Sequence, residues 1–223
     1  MGERIKQIAK TRTVFRGFRL HMNLRVLLTV LALGRCIVLA QDDIAPFEEK
    51  SVTFSGGDYE EETFNYLFMK PETLEEGKRY PLVLFLHGAG ERGDDNRAQM
   101  KHFPVHFKDP EYRKKFPCFL LVPQCREEKR WSRFTWDDSE PPADSALMKV
   151  ALLAFQDALD SYPIDRSRLY LTGLSMGGYG SWELAMNRPD WFAGIAPICG
   201  AGDLTTAHRI ASTPIWNFHG DAD

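Results

Sequence analysis

Cysteine is scarce in this sequence, which excludes a disulfide-stabilised framework and the common cysteine-based metal sites. The 223 residues include four cysteines, with no CxxC or HExxH spacing. Beyond residue 40 only Cys118, Cys125 and Cys199 remain, and an odd, small number does not build a disulfide framework. If residues 118–124 form a strand, Cys118 and Cys125 lie about 20 Å apart, too far for a disulfide bond. We therefore expect free, buried thiols and neither a metal nor a cofactor.

Positive charge is also lacking in most of the chain. The formal net charge is −3, but residues 1–40 hold eight Lys or Arg residues against Glu3, which leaves 20 basic and 30 acidic residues in the rest. A protein that binds nucleic acid needs a surplus of Lys and Arg to neutralise phosphate groups. The charge distribution therefore excludes a nucleic-acid partner.

No apolar run is long enough to span a membrane, because a spanning helix needs about 20 apolar residues. The apolar run at residues 26–33 follows a basic segment and precedes small residues that end at Ala40. That order is typical of a secretory signal peptide. We predict a signal peptide over residues 1–40, with Met22 as a possible true start and cleavage after Ala40. The domain over residues 41–223 is then secreted or periplasmic.

A retained membrane anchor and a lipoprotein attached through Cys36 are the alternatives to cleavage. Arg35 disfavours both. It interrupts the apolar stretch, and it stands directly before Cys36, where a lipoprotein carries a small residue.

The rest of the chain alternates short β-rich runs with helical stretches. Residues 80–86 (YPLVLFL) are continuously apolar, which is typical of a strand buried on both faces. Residues 145–161 place apolar side chains at helical spacing, with Asp144 or Ser145 as the N-cap and Pro163 beyond the end. The alternation predicts an α/β fold, a doubly wound and mostly parallel sheet with helices on both faces. Further elements are predicted as strands over 63–69, 119–122, 169–172, 193–198 and 215–218, a helix over 178–187, and a loop over 126–143.

The sequence ends directly after the last predicted strand. Residues 220–223 form the turn that follows it, and a doubly wound sheet seldom stops at a bare strand and turn. We therefore expect a domain that is incomplete at its C-terminus and lacks a final helix, a final strand and a histidine-bearing loop.

The strongest functional signal is Gly-Leu-Ser-Met-Gly at residues 173–177. An apolar strand precedes it and a helical pattern follows, which is the setting that a G-x-S-x-G nucleophile elbow requires. The flanking glycines permit a tight turn that holds the serine in strained backbone geometry. The motif predicts Ser175 as a catalytic nucleophile; the alternative is a glycine-rich turn with a capping serine.

A second signal, His-Gly-Ala-Gly at residues 87–90, follows the apolar run YPLVLFL. A glycine-rich turn there leaves backbone N–H groups free to face a developing oxyanion. The expected donors are the N–H groups of Ala89 and Met176, whereas His87 is expected to be a structural loop residue. The alternative is a tight turn with no catalytic part. Local hydrogen bonds are expected to orient this turn through Glu91, Arg92 and Asp95.

The third signal is His-Gly-Asp-Ala-Asp at residues 219–223. A catalytic triad needs a carboxylate that orients the imidazole of the base, and in the chain order serine, acid, histidine the acid follows a late strand. Asp221 and Asp223 both fit this position, and Asp203 is a weaker candidate. A solvated acidic turn is the alternative.

These segments together resemble the α/β-hydrolase esterases grouped with the phospholipase/carboxylesterases and "predicted peptidases". The resemblance runs from about residue 60 to the end and is carried in order by PLVLFLHGAGERGDDN, PQC, RLYLTGLSMGGYGSW, APICGAGD and PIWNFHGDAD. It implies that Ser175 is the nucleophile and that Asp223, rather than Asp221, is the triad acid. It also implies that Ala89 and Met176 supply the oxyanion hole.

The sequence departs from that family at the catalytic base. The family's histidine lies in a loop beyond the acid, and every histidine here precedes Asp223. We therefore do not assign the role of base to any of four histidines, namely His102, His106, His208 and His219.

Together these features predict a secreted serine carboxylesterase that forms an acyl-enzyme and uses no cofactor. Its substrate is a small-molecule or polymer-linked ester, and it has no stable membrane span. A serine peptidase of the same fold, a catalytically incomplete fragment and a lipid-anchored binding protein are the alternatives. In the loop over 126–143, three aromatic side chains either line a substrate pocket or pack in the core, namely Trp131, Phe134 and Trp136.

Overall fold

The computed structural model describes residues 44–133 and 144–221. The predictions for residues 1–40, for Phe134 and Trp136, and for Asp223 lie outside the described residues. The strands are β1 (Glu48–Gly56), β2 (Tyr59–Met69), β3 (Tyr80–Leu86), β4 (Phe119–Pro123), β5 (Ile164–Leu174) and β6 (Gly194–Ile198). The α-helices are α1 (Pro110–Lys115), α2 (Ala146–Ser161) and α3 (Met176–Asn187). Short 3-10 helices cover Ala89–Glu91, Ala98–Met100, Pro104–Lys108 and Ala207–Ile210.

The six strands form one mixed sheet in the order β1-β2-β4-β3-β5-β6. β3 pairs in parallel with both β4 and β5, and β5 pairs in parallel with β6. β1 and β2 form an antiparallel hairpin, and β2 is antiparallel to β4. The predicted α/β fold is therefore confirmed, with a parallel half and an antiparallel half in one sheet.

The sequence pattern does not predict β1, because this strand lies at the edge of the sheet. Its side chains alternate between exposed and half-buried positions, so it lacks the apolar run that marks β3. The first half of β2 pairs with β1 but not with β4, and it is likewise polar and mostly exposed. This is why β2 begins at Tyr59 rather than at the predicted residue 63.

Apolar side chains cover both faces of the sheet around β3. Leu82, Leu84 and Leu86 belong to a buried cluster to which α2 and α3 contribute. Phe85 belongs to a second buried cluster on the opposite face, which includes Met100 and Phe107. The continuously apolar sequence of β3 thus reflects a strand that is buried on both sides.

Both predicted helices form, and their starts are set by local contacts. Ser145 caps α2 by accepting a hydrogen bond from the Met148 N–H at 3.0 Å, so the helix starts one residue later than predicted. α3 starts at Met176, two residues earlier than predicted, because the helix begins directly after the turn at Ser175.

The predicted strand over 215–218 forms parallel bridges to β6 but is not buried. The Trp216 and Phe218 N–H groups donate to Ile195 and Pro197 carbonyls at 3.0 Å. Trp216 is nevertheless 71% exposed, although an apolar run such as residues 215–218 is typical of a buried strand. Within the described part of the chain, no element packs over its outer side. An open apolar cavity of about 450 Å³ borders it.

Cys118 and Cys125 are free thiols, as expected. Cys118 and Cys125 are buried, and burial raises the pKa of each to about 12. Cys199 is only partly buried, so the expectation of burial is wrong there.

Over residues 44–133 and 144–221, no helix has the length and apolarity to cross a bilayer. The same residues contain no group of three or more His, Cys, Asp or Glu side chains that could hold a metal ion.

Candidate active site

Ser175 occupies a sharp turn between β5 and α3. Its backbone has φ 54° and ψ −111°, a conformation that costs free energy in a non-glycine residue and persists only where its surroundings enforce it. Two hydrogen bonds fix the turn: the Ser175 N–H donates to the Ile198 carbonyl at 2.8 Å, and its carbonyl accepts from the Tyr179 N–H at 3.0 Å. The residue is exposed. The predicted strand-turn-helix setting is therefore present, with the hydroxyl accessible.

The glycines of the motif are required by close backbone packing. A Cβ atom on Gly177 would lie 1.8 Å from the Leu86 carbonyl oxygen, and one on Gly173 would lie 2.8 Å from the same atom. A Cβ atom on Gly178 would lie 2.3 Å from the Cys199 carbonyl oxygen. The turn at Ser175 is thus wedged between the ends of β3 and β6.

The turn at residues 87–90 lies directly against Ser175. A Cβ atom on Gly88 would be 3.9 Å from the Cβ of Ser175. Ala89 begins a 3-10 helix and Met176 begins α3, and the first N–H groups of a helix have no acceptor inside it. The structure therefore brings Ser175, Ala89 and Met176 together at one edge of the sheet.

His87 is a structural residue of this turn. It is 1% exposed, and its Nε2 accepts a hydrogen bond from the Cys125 N–H at 2.9 Å. Its Nδ1 lies 2.7 Å from the Gly88 carbonyl oxygen, so the network assigns the proton to Nδ1. Burial lowers the pKa of His87 to about 4 from its ordinary 6.5. The imidazole is therefore neutral and has both nitrogens engaged.

Trp131 packs beneath the turn instead of lining a substrate pocket. It is fully buried, and its Nε1 donates to the His87 carbonyl at 3.0 Å. A Cβ atom on Gly180 would lie 2.6 Å from the Trp131 Cβ. Of the two alternatives for this side chain, the structure shows core packing.

The acid turn begins at the same edge of the sheet as Ser175. The Cys199 N–H, directly after β6, donates to the Phe218 carbonyl at 2.7 Å, so the chain that leaves Phe218 starts beside the end of β6. Asp221 is exposed. Asp223 lies outside the described residues. The weaker candidate, Asp203, accepts hydrogen bonds from the Thr205 hydroxyl and N–H, which lower its pKa.

Three further histidines have contacts elsewhere. His102 Nε2 lies 3.5 Å from a Glu91 carboxylate oxygen, and the His106 ring lies 6.0 Å from that of Tyr112. His208 Nδ1 lies 3.0 Å from the Thr205 carbonyl oxygen. None of these contacts involves Ser175.

The chain matches no protein-family model, but it is similar to individual esterases. NocK of Nocardia uniformis subsp. tsuyamanensis, which carries an esterase name, is 30% identical over 95 residues, covering 40% of this chain and 28% of that protein. Poly(3-hydroxyalkanoate) depolymerase C of Paucimonas lemoignei is 31% identical over 104 residues, covering 42% of this chain and 24% of that enzyme.

The solved structure of a thermostable esterase extends this similarity across the fold. It has 39% sequence identity and a TM-score of 0.69, and the match covers 79% of this chain and 47% of that one. The chain thus resembles α/β-hydrolase esterases in both sequence and fold. The resemblance suggested by the sequence motifs is thereby confirmed. The chain spans less than half the length of each of these relatives.

The buried, neutral His87 predicts how the stability of this protein depends on pH. Because the pKa is lowered to about 4 in the folded state, the unfolded chain binds the proton first as the pH falls. Folding stability should therefore drop between pH 6.5 and pH 4 by about 3 kcal/mol from this residue, and no further below pH 4.

Urea unfolding of the wild type and His87→Gln across this pH range measures the contribution. The difference in the free energy of unfolding between the two proteins should shrink as the pH falls. A difference that stays constant with pH would mean that His87 is not the group responsible.

Proposed function

We propose that the protein is a secreted serine carboxylesterase that hydrolyses carboxylic esters through an acyl-enzyme on Ser175. The observation that carries the proposal is the contact between two turns. The exposed Ser175 on its strained turn faces the turn of residues 87–90, where the Ala89 N–H has no acceptor in its own helix. A nucleophile beside free N–H donors is the arrangement that acyl transfer requires.

The residues divide the reaction between them. The Ser175 oxygen attacks the ester carbonyl carbon, and the Ala89 and Met176 N–H groups stabilise the oxyanion of the tetrahedral intermediate. Collapse breaks the bond to the alkoxy oxygen, which leaves as the alcohol with the proton taken from Ser175. Water then attacks the acyl-enzyme and releases the carboxylic acid. A histidine oriented by Asp223 is the proposed carrier of the proton.

The relatives support an ester as the substrate. The structure with 39% identity is named an esterase, and Poly(3-hydroxyalkanoate) depolymerase C is named for a polyester. We propose a small-molecule or polymer-linked ester for this chain. The reaction as written needs no cofactor.

Export is the second half of the proposal. The order of a basic segment, an apolar run and small residues that end at Ala40 supports it. Expression of the full chain in a secreting host, followed by intact-mass measurement, tests this. The exported protein should lack residues 1–40, whereas a mass that retains Cys36 would contradict cleavage.

A fluorophosphonate probe together with chromogenic substrates tests the activity. The probe should add one phosphonyl group, located at Ser175 by peptide mass spectrometry, and p-nitrophenyl acetate and butyrate should be hydrolysed. Peptide p-nitroanilides should react at least about 100-fold more slowly, because an amide is a poorer acyl donor than an activated ester. Labelling at another residue, or faster cleavage of the anilides, would overturn the carboxylesterase assignment.

A further inference from the structure

The Pro-Gln-Cys segment that ends β4 lies beside the turn next to Ser175. β4 is the parallel neighbour of β3, so the chain leaves both strands at the same edge of the sheet. Gln124 is 5% exposed and Cys125 is fully buried. A buried polar side chain must be hydrogen-bonded to offset its loss of water.

The side-chain amide of Gln124 forms hydrogen bonds with the loop that follows the turn. Its Nε2 donates to the Glu91 carbonyl at 3.2 Å and to the Asp95 carboxylate at 2.8 Å. Its Oε1 accepts from the Asn96 N–H at 2.7 Å. One side chain therefore satisfies three groups between residues 91 and 96.

Cys125 holds the other end of the turn through its backbone. Its N–H donates to the His87 imidazole at 2.9 Å, and its carbonyl accepts from the Gly93 N–H at 2.9 Å. The turn that presents the Ala89 N–H is thus held before Gly88 by Cys125, and after Gly90 by both Cys125 and Gln124.

The charge of Asp95 fixes the orientation of the Gln124 amide. Partial desolvation raises the pKa of Asp95, but hydrogen bonds from the Ala98 and Arg97 N–H groups and from Gln124 outweigh it, and the pKa is lowered overall. The ionised carboxylate accepts hydrogen bonds only. The NH₂ group of Gln124 therefore faces Asp95, and its oxygen is left for Asn96.

We propose that Gln124 is a positioning residue that sets the oxyanion-binding geometry of the turn, acting through the Glu91 carbonyl. The proposal rests on the carboxylesterase function proposed above. Glu91 closes the 3-10 helix that Ala89 opens, so displacement of Glu91 moves the Ala89 N–H. A donor that is displaced by a fraction of an ångström binds the transition-state oxyanion less well. The carbonyl of the bound ester interacts only weakly with that donor before the reaction. The loss therefore lowers kcat more than it weakens substrate binding.

Gln124→Glu tests this with almost no change in shape. The carboxylate can still accept from the Asn96 N–H, but it cannot donate to Glu91 and it repels Asp95. With p-nitrophenyl butyrate and the full chain, kcat should fall about 10- to 100-fold while KM stays within about twofold, the pattern of an interaction lost in the transition state.

Gln99→Glu is the matched control. Gln99 is fully buried and donates to the Asn96 side chain at 2.6 Å, so it belongs to the same network through a hydrogen bond to Asn96 rather than to the turn. The substitution should lower the unfolding midpoint while kcat per folded molecule stays within about twofold of the wild type. An equal loss of kcat in both variants would show a merely structural role and overturn the proposal.

Asp95→Asn covers the case in which Gln124→Glu does not fold. Asp95 is exposed, and the change weakens its hold on the Gln124 amide, so kcat should fall several-fold without a change in KM. If the wild type hydrolyses no ester, the carboxylesterase proposal itself fails. If the wild type is active and kcat is unchanged in the folded Gln124 or Asp95 variant, only the positioning role fails.

Discussion

Ester hydrolysis should fall below about 5% of the wild-type rate when Ser175 is replaced by alanine, because no acyl-enzyme can form without its oxygen. The substitution should leave folding intact. The Ser175 side chain makes no capping hydrogen bond to α3 and is exposed, and alanine meets the same backbone strain as serine at φ 54°. The free energy of unfolding should therefore change by less than about 0.5 kcal/mol.

The measurement is the initial rate of p-nitrophenyl butyrate hydrolysis, paired with a urea unfolding curve for each protein. Ser167→Ala is a suitable control, since Ser167 lies on the same strand and its hydroxyl donates to Asp165 at 2.6 Å. It should keep the wild-type rate. Activity that survives in Ser175→Ala at more than a few per cent would remove Ser175 from the mechanism.

The Gly177→Ala substitution should destabilise the domain by at least about 4 kcal/mol. Alanine is intrinsically better than glycine inside a helix by about 1 kcal/mol, so helix propensity alone predicts the opposite sign. The clash decides the outcome: the added Cβ would lie 1.8 Å from the Leu86 carbonyl oxygen and 2.9 Å from that of His87. Both are backbone atoms of β3 and its turn, which cannot move without breaking the sheet.

Two other glycines provide a graded comparison by urea unfolding. A Cβ on Gly180 would meet side-chain atoms of Trp131 and Leu86 at 2.6 and 3.0 Å, which can shift at a cost of about 1–3 kcal/mol. A Cβ on Gly90 would meet nothing within 4 Å, so Gly90→Ala should be nearly neutral. An order of cost other than Gly177, Gly180, Gly90 would show that close backbone packing is not what requires glycine in the motif.

The predictable parts of the fold are the elements in which burial alone determines the pattern of apolar residues. β3 occupies the predicted residues 80–86, because a strand covered on both faces must be continuously apolar. α2 follows its apolar spacing and its Ser145 cap. β1 was not predictable in this way, because half of an edge strand faces water and its sequence resembles that of a loop.

Residues 215–218 show the limit of the same reasoning. Their apolar pattern predicts burial, but the pattern records only what the side chains favour. Whether anything covers them depends on other elements, and in the described part of the chain they are exposed beside β6.

The candidate site likewise contains residues that the sequence predicts and residues that it does not. The sequence identified Ser175 because a nucleophile elbow needs glycine at fixed offsets, and that constraint is local. It left Gln124 without a role, although a glutamine directly after a fully apolar strand is a visible signal of a buried hydrogen-bonding task. Its partners, Glu91 and Asp95, lie 33 and 29 residues away along the chain.

The sequence by itself thus determined the strands with two covered faces, the capped helix and the turn that presents Ser175, since each depends on neighbouring residues. Only the tertiary structure decided that the turn of residues 87–90 lies against that serine, and that His87 and Trp131 support the turn from within the core. It also showed that Gln124 fastens the far end of the turn. These contacts join residues distant in the chain, and close packing of β3, β4 and β5 at one edge of the sheet brings them together.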